Sequence, residues 1–253
     1  MSNITSTSAL LIIGNEILSG RTKDANLAWL GEQLSAIGAP LKEVRVIPDI
    51  ETEIINAVHA LKDKYTYVFT TGGIGPTHDD ITAECMAKAF DTELWEDPEA
   101  RRRLEVHYED SEHDLNEARL KMAKVPKGST LIDNPVSAAP GFQIENVYVM
   151  AGVPRIMQAM FDNIASGIKG GASMQSIEIQ CRLGEGDLAA PLGEIQKQYP
   201  EVDIGSYPSY KGGRFSVAVV IRHTDMALLE KVADHITEQV KQIEQNGKTV
   251  LGG

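Results

Sequence analysis

The chain has 253 residues, 42% of them hydrophobic, and its 24 basic against 36 acidic residues give a formal charge of -12. The hydrophobic share fills the core of one large domain or two modest ones. The negative balance excludes a broad positive field for a phosphodiester backbone, so nucleic acid is not an expected partner, although a local basic pocket stays open. The N-terminal stretch MSNITSTSALLIIGNE has no basic segment and only five consecutive apolar residues, Ala9 to Ile13, too few for a signal peptide or a membrane span; the expected compartment is the cytoplasm. Cys85 and Cys181 are too sparse for a disulfide framework or a zinc site and read as reduced core thiols.

In chain order, the apolar run from Ala9 to Gly14 reads as a buried strand ending at a glycine. A helix follows, with Leu27, Leu30, Leu34 and Ile37 at helical spacing, Asp24 able to cap the first turn and Gly38 suited to the left-handed C-terminal position. Residues 41–47 form a second strand, 52–64 a second helix, 65–71 a third strand, 81–90 a third helix, and 147–151 a fourth strand leading into a helix through Ile156, Met160 and Ile164. Between them, 101–124 is charged and partly helical, and NPVSAAPG at 134–141 is a loop. Alternating strands and helices predict a doubly wound α/β domain with a mostly parallel sheet over residues 1–168. After a linker at Lys169-Gly170-Gly171-Ala172, residues 174–253 predict a small α+β domain in βαββα order: strand 176–183, helix 188–198, strands 202–207 and 215–222, and a long helix 226–244.

The stretch TTGGIGPTHDDIT, Thr70 to Thr82, is the most informative in the chain. Glycines at a strand-to-helix junction let backbone amides approach an anion, and the helix that follows presents its positive end. Neither the Walker loop nor the dinucleotide fingerprint fits, because no Gly-Lys-Ser/Thr follows and His78 stands where a third glycine would be. Asp80, just before Ile81, reads either as a plain N-cap or, with Asp49 from the neighbouring strand end, as a pair of hard ligands for a divalent cation that bridges phosphate oxygens. The second reading reconciles two carboxylates with an anionic ligand, since the ion outweighs their repulsion.

In an open α/β sheet the loops leaving the carboxyl ends of the strands share one crevice. The expected lining is therefore Gly14, Asn15, Glu16, Ser19 and Asn26 from the first loop, Asp49 from the second, and Thr71, Gly72, Gly73, Gly75, Pro76 and Thr77 from the third, with Asn134 and Gly152 from later ones. His78 is a further phosphate or base contact. Asp79 reads as second to Asp80 or solvent-facing. The acidic stretch HYEDSEHD at 107–114 matches no metal spacing and reads as a solvated surface; His59, His223 and His235 have no convergent partners. The HExxH, GxSxG and paired CxxC signatures do not occur.

GNEILSGRTKDANLAWL, VIPD at 46–49, TTGGIGPTHDDIT, NEARLKMAKVPKG at 116–128, NPVSAAPGF at 134–142 and AGVPRIMQAM from Ala151 together resemble the molybdopterin-binding-domain superfamily. Within it they are most similar to the amino-terminal part of the competence/damage-inducible protein A (CinA) group and to the molybdopterin-binding domain of FAD synthases. GEGDL at 184–188 and IGSYPSY at 204–210 resemble the small domain that follows in this group. The resemblance implies a Rossmann-like fold whose pocket binds molybdopterin in cofactor-biosynthesis relatives, with acids matching Asp49 and Asp80 implicated in adenylyl chemistry. It also implies, for CinA-type members, metal-dependent pyrophosphatase activity on ADP-ribose or FAD, and self-association into homo-oligomers.

Two departures stand out: Ala151-Gly152-Val153-Pro154 where Pro-Gly-x-Pro is usual, and Ser137-Ala138 where Gly-Thr is common. Too few residues follow the small domain for an amidohydrolase domain, so nicotinamide-nucleotide deamidation is not expected. Three functions stay open. The first is a pyrophosphatase using Mg²⁺, Mn²⁺ or Co²⁺, with Asp49 and Asp80 as catalytic metal ligands and metal-activated water as the attacking group. The second is molybdopterin binding or adenylyl transfer in molybdenum-cofactor synthesis, and the third a non-catalytic nucleotide sensor.

Overall fold

The structure, a computed structural model, describes residues 6–109, 111–211 and 214–245. Position 110 of the acidic stretch and the tail 246–253 of the second predicted domain lie outside them. The chain divides after Gly171 into two compact units.

The first unit runs β1 (Ser8–Ile13), a one-turn helix α1 (Asn15–Leu18), α2 (Asn26–Ile37), β2 (Leu41–Ile47), α3 (Glu51–Lys62), β3 (Tyr67–Thr71), α4 (Thr82–Ala89), β4 (Leu94–Glu96), α5 (Pro98–Glu109), α6 (Glu117–Leu120), a 3-10 turn (Lys121–Ala123), β5 (Lys124–Pro126), β6 (Thr130–Ile132), β7 (Gly141–Ile144), β8 (Val147–Met150) and α7 (Pro154–Ile164). Its six-stranded sheet has the order β2-β1-β3-β8-β7-β6. The first four strands are parallel, and β7 runs antiparallel to both neighbours. β1 is buried along its whole length, as the continuous apolar run of a strand covered on both faces requires. One face packs Ala9, Leu11, Ile13 and Val68 against Ile54, Val58 and Leu61 of α3 and Met86 of α4. The other packs Leu10, Ile12 and Phe69 against Leu30 and Leu34 of α2 and Met157, Met160 and Phe161 of α7.

Local signals account for the helix ends. Asp24 accepts from the Leu27 amide at 2.8 Å, and Gly38 closes α2 in the left-handed region at φ 83°. Four short strands, β4 to β7, depart from the reading of residues 91–146. β4 pairs with β5 in a separate two-stranded ribbon, and β6 and β7 extend the main sheet. Each has three or four residues, too few for an alternation to show.

The second unit is β9 (Gln175–Cys181), α8 (Glu185–Gln198), β10 (Asp203–Lys211), β11 (Arg214–His223) and α9 (Met226–Gln245). Its antiparallel sheet has the order β10-β11-β9, and Val217, Val219 and Ile221 pack against Leu188 and Ile195 of α8 and Leu229, Val232 and Ile236 of α9. Helix α8 begins at Glu185, a turn before the expected Leu188. No helix among the described residues is long and apolar enough to cross a membrane.

Candidate functional site

The carboxyl ends of β1, β2, β3 and β8 form one edge. Ile13 of β1 stands beside Ile47 of β2, Ile12 beside Thr71 of β3, and Thr71 beside Met150 of β8. Asp49, Asn15, the glycine loop and Gly152 leave the sheet at successive places along this edge. Two strand spacings, about 10 Å, separate β2 from β3.

At β3 the chain must turn close to its neighbours. Gly72 has φ 102°, and a Cβ there would lie 2.1 Å from the Ile13 carbonyl oxygen. Gly73 has φ 68°, and its Cβ would lie 2.1 Å from Thr82 Oγ1, the hydroxyl that donates to the Gly72 carbonyl. Among the described residues, the amides of Gly73, Ile74 and Gly75 donate to no protein acceptor. Three consecutive donors left open beside a helix start form a concavity suited to an anion.

Asp80 does not cap α4. The helix begins after Ile81 without a side-chain cap, because the Asp80 carboxylate turns back into its own loop. There Oδ2 accepts from the Thr77 amide at 2.8 Å and the Thr77 hydroxyl at 2.5 Å, against Gly75, where a Cβ would lie 2.7 Å away. The same hydroxyl is 2.5 Å from Asp79 Oδ1. That contact, helped by the Asp79 amide and the charges of His78 and Lys121, outweighs burial and holds the Asp79 carboxyl below the usual carboxylate range. His78 points to solvent, its side chain 98% exposed.

Asp49 Oδ2 accepts from the Asn15 amide at 2.8 Å, tying the ends of β1 and β2 together. Glu16 and Ser19 are exposed on α1 and just after it; the Ser19 hydroxyl donates to the Glu16 carbonyl. The glycine loop divides two cavities that share Ile74, Gly75 and Met122. One, of about 240 Å³, is charged and includes Gly73, Asp80, Glu84, Lys121 and Lys124. The other, of about 290 Å³, is mainly apolar, with Pro76, Tyr108, Val153, Ile156 and Met160 around Asn134 and Ser137. Neither is lined by Asp49, Asn15 or Glu16, so the first and second loops stand along the same edge outside both recesses.

Three of the expected contacts, Asn134, Asn26 and Thr71, are buried. Asn134 is buried, and its amide spends both donors on Ser137 Oγ and the Ala139 carbonyl and both acceptor positions on the amides of Val136 and Ser137. Asn26 is buried at the start of α2 and donates to the Gly152 carbonyl at 2.8 Å, beside Gly72, whose Cα lies 3.3 Å from where a Gly152 Cβ would stand. Thr71 is buried, and its hydroxyl, like that of Thr70 and Asn26 Oδ1, has no partner among the described residues. Lys121 and Lys124 escape a reading by local sequence, since the turn after α6 and the β4–β5 ribbon bring them to the loop.

A divalent ion in the charged recess would meet Asp80 there and not Asp49. Asp49 and Asp80 each keep a carboxylate oxygen not used by the bonds above, which is hard oxygen chemistry. No group of three or more His, Cys, Asp or Glu side chains among the described residues is placed to enclose an ion. That suits an ion such as Mg²⁺, which takes one or two carboxylates and completes its shell from water and substrate phosphates.

Residues 9–169 match the family model described as a probable molybdopterin binding domain, and residues 173–246 match that of the FAD synthase middle domain. A protein of Pyrobaculum arsenaticum is 32% identical over 252 residues, 92% of this chain and 94% of the relative. A CinA-like protein of Salinibacter ruber is 30% identical over 91% of this chain and 59% of its own length. A probable FAD synthase of Caenorhabditis elegans is 31% identical over 92% of this chain, which spans about half of that relative (49%). The solved structure of the protein CinA, of unknown function, from Thermoplasma acidophilum superposes with a TM-score of 0.60 at 34% identity, covering 66% of this chain and 99% of that one. The chain belongs to the molybdopterin-binding-domain family, as a CinA-like member in which a domain of the FAD synthase middle type follows the α/β unit.

Proposed function

We propose that the protein binds a nucleotide built on a diphosphate, of the ADP-ribose or FAD type, at the glycine loop and hydrolyses the diphosphate linkage with a divalent cation. The observation that carries this reading is the row of open amides at Gly73, Ile74 and Gly75 beside Asp80, with a charged recess on one side and an apolar one on the other. The amides donate to phosphate oxygens, and the apolar recess takes a flat ring against Tyr108, Ile156 and Met160. Asp80, held by Thr77, and Asp49, held by Asn15, are the residues that hold the ion. When bound, that ion offsets the diphosphate charge and lowers the pKa of a water. The FAD synthase relatives support the substrate class, since FAD joins its two halves through a diphosphate.

The test is release of AMP from ADP-ribose and from FAD with Mg²⁺, Mn²⁺ or Co²⁺. Turnover is expected in the wild type and a loss of about 100-fold or more in Asp49→Ala and Asp80→Ala; wild-type rates in both variants reject the assignment. The match of residues 9–169 to a probable molybdopterin binding domain favours a second reading, a pterin in the same apolar recess. Co-purifying pterin fluorescence together with no cleavage of either nucleotide selects it.

A further inference from the structure

The opposition between a phosphate-type loop and its two aspartates has a partner inside the chain. Lys121 Nζ donates to the Thr77 carbonyl at 2.5 Å, across 44 positions of sequence, and Lys121 and Lys124 both line the charged recess under Gly73 and Gly75. The acids there are already engaged: Asp80 with Thr77, and Glu84 with Lys88 at 2.8 Å. An ammonium has three donors; one of Lys121's is used by Thr77, and two remain. Among the described residues neither lysine is in an ion pair, whereas Lys88 and Lys127 beside them are. In a chain of net charge -12, this recess sets two lysines, outside any ion pair among the described residues, beside two carboxylates, with open backbone donors on its wall.

Resting on the diphosphate reading above, we propose that Lys121 is the phosphate-facing cation of this recess, with Lys124 at its mouth, so that one phosphate group of the substrate sits between Lys121 and the amides of the glycine loop. Lys121 is then a binding and positioning residue: it fixes the Thr77 carbonyl, and through Thr77 the carboxylate of Asp80.

The full chain is titrated calorimetrically with inorganic pyrophosphate and with ADP-ribose, in Mg²⁺ at two salt concentrations. Lys121→Met is expected to weaken both ligands about 10- to 100-fold, the value of a hydrogen bond to a charged group, and to flatten the salt dependence. Lys121→Arg is expected to restore both. Wild-type affinity for pyrophosphate in Lys121→Met overturns the proposal, and so does weakened binding with an unchanged salt dependence, which marks a role confined to holding the loop. Failure of the wild type to bind either probe rejects the diphosphate reading itself.

Discussion

Adding one methyl group at Gly72 tests whether the glycine loop is shaped by close approach of backbones or only by turn preference. At φ 102° an alanine is strained, at about 1–2 kcal/mol. Its Cβ would also stand 2.1 Å from the Ile13 carbonyl oxygen, a backbone atom that moves only if β1 and β3 part. Overpacking of that kind adds about 1–3 kcal/mol, for a total of about 2–5 kcal/mol. In a unit of 171 residues, each kcal/mol lowers the midpoint by about 2–4 °C, so Gly72→Ala should melt about 10 °C below the wild type. Gly128 is the internal control: its φ is 86°, but a Cβ there meets nothing within 4 Å, so Gly128→Ala carries the conformational part alone. Calorimetric melting of the two variants side by side separates the contributions. Equal midpoints, or a Gly72→Ala protein within about 2 °C of the wild type, refute the close-approach argument.

Two further outcomes follow from single residues. Ala138 sits at φ 60° in the 134–141 loop. Ala138→Gly should relieve about 1–2 kcal/mol of strain and lose about 0.4–1 kcal/mol to unfolded-chain entropy, giving a small net rise in melting temperature, read by calorimetry. Glu43 is held down to about 2 from 4.5, first by Lys64, then by Tyr65 and Arg45. A carboxyl whose folded pKa is depressed stabilises the fold above its unfolded pKa and loses that contribution as pH falls toward the folded value. The stability difference between wild type and Glu43→Gln should therefore be full above pH 4.5 and shrink toward pH 2 in urea titrations; a pH-independent difference contradicts the pairing.

The long elements of both units are legible because their apolar positions repeat over enough residues to set a period: the buried run of β1, the spaced leucines of α2, the alternating strand β9. The strands β4 to β7 are not, because three or four residues hold no period and tertiary pairing alone defines them. The site divides in the same way. The open amides follow from glycines that are visible locally. The roles of Asn26 and Asn134 depend on what closes over them, and an amide that suits a ligand suits a buried loop equally well. Asp80 illustrates the limit best. Its position before a helix suggests a cap, yet the glycine at 75 leaves room for the carboxylate to fold back onto Thr77. The lysines at 121 and 124 enter through pairing of segments some thirty residues apart, a contact that local pattern does not encode.

The most direct measurement is the amide ¹⁵N–¹H spectrum of the 27.6 kDa protein during titration with ADP-ribose and Mg²⁺. If the glycine loop receives the diphosphate, the resonances of Gly73, Ile74 and Gly75 shift together and saturate with a single affinity. Saturable shifts confined to the second unit, with these three amides unmoved, contradict the account.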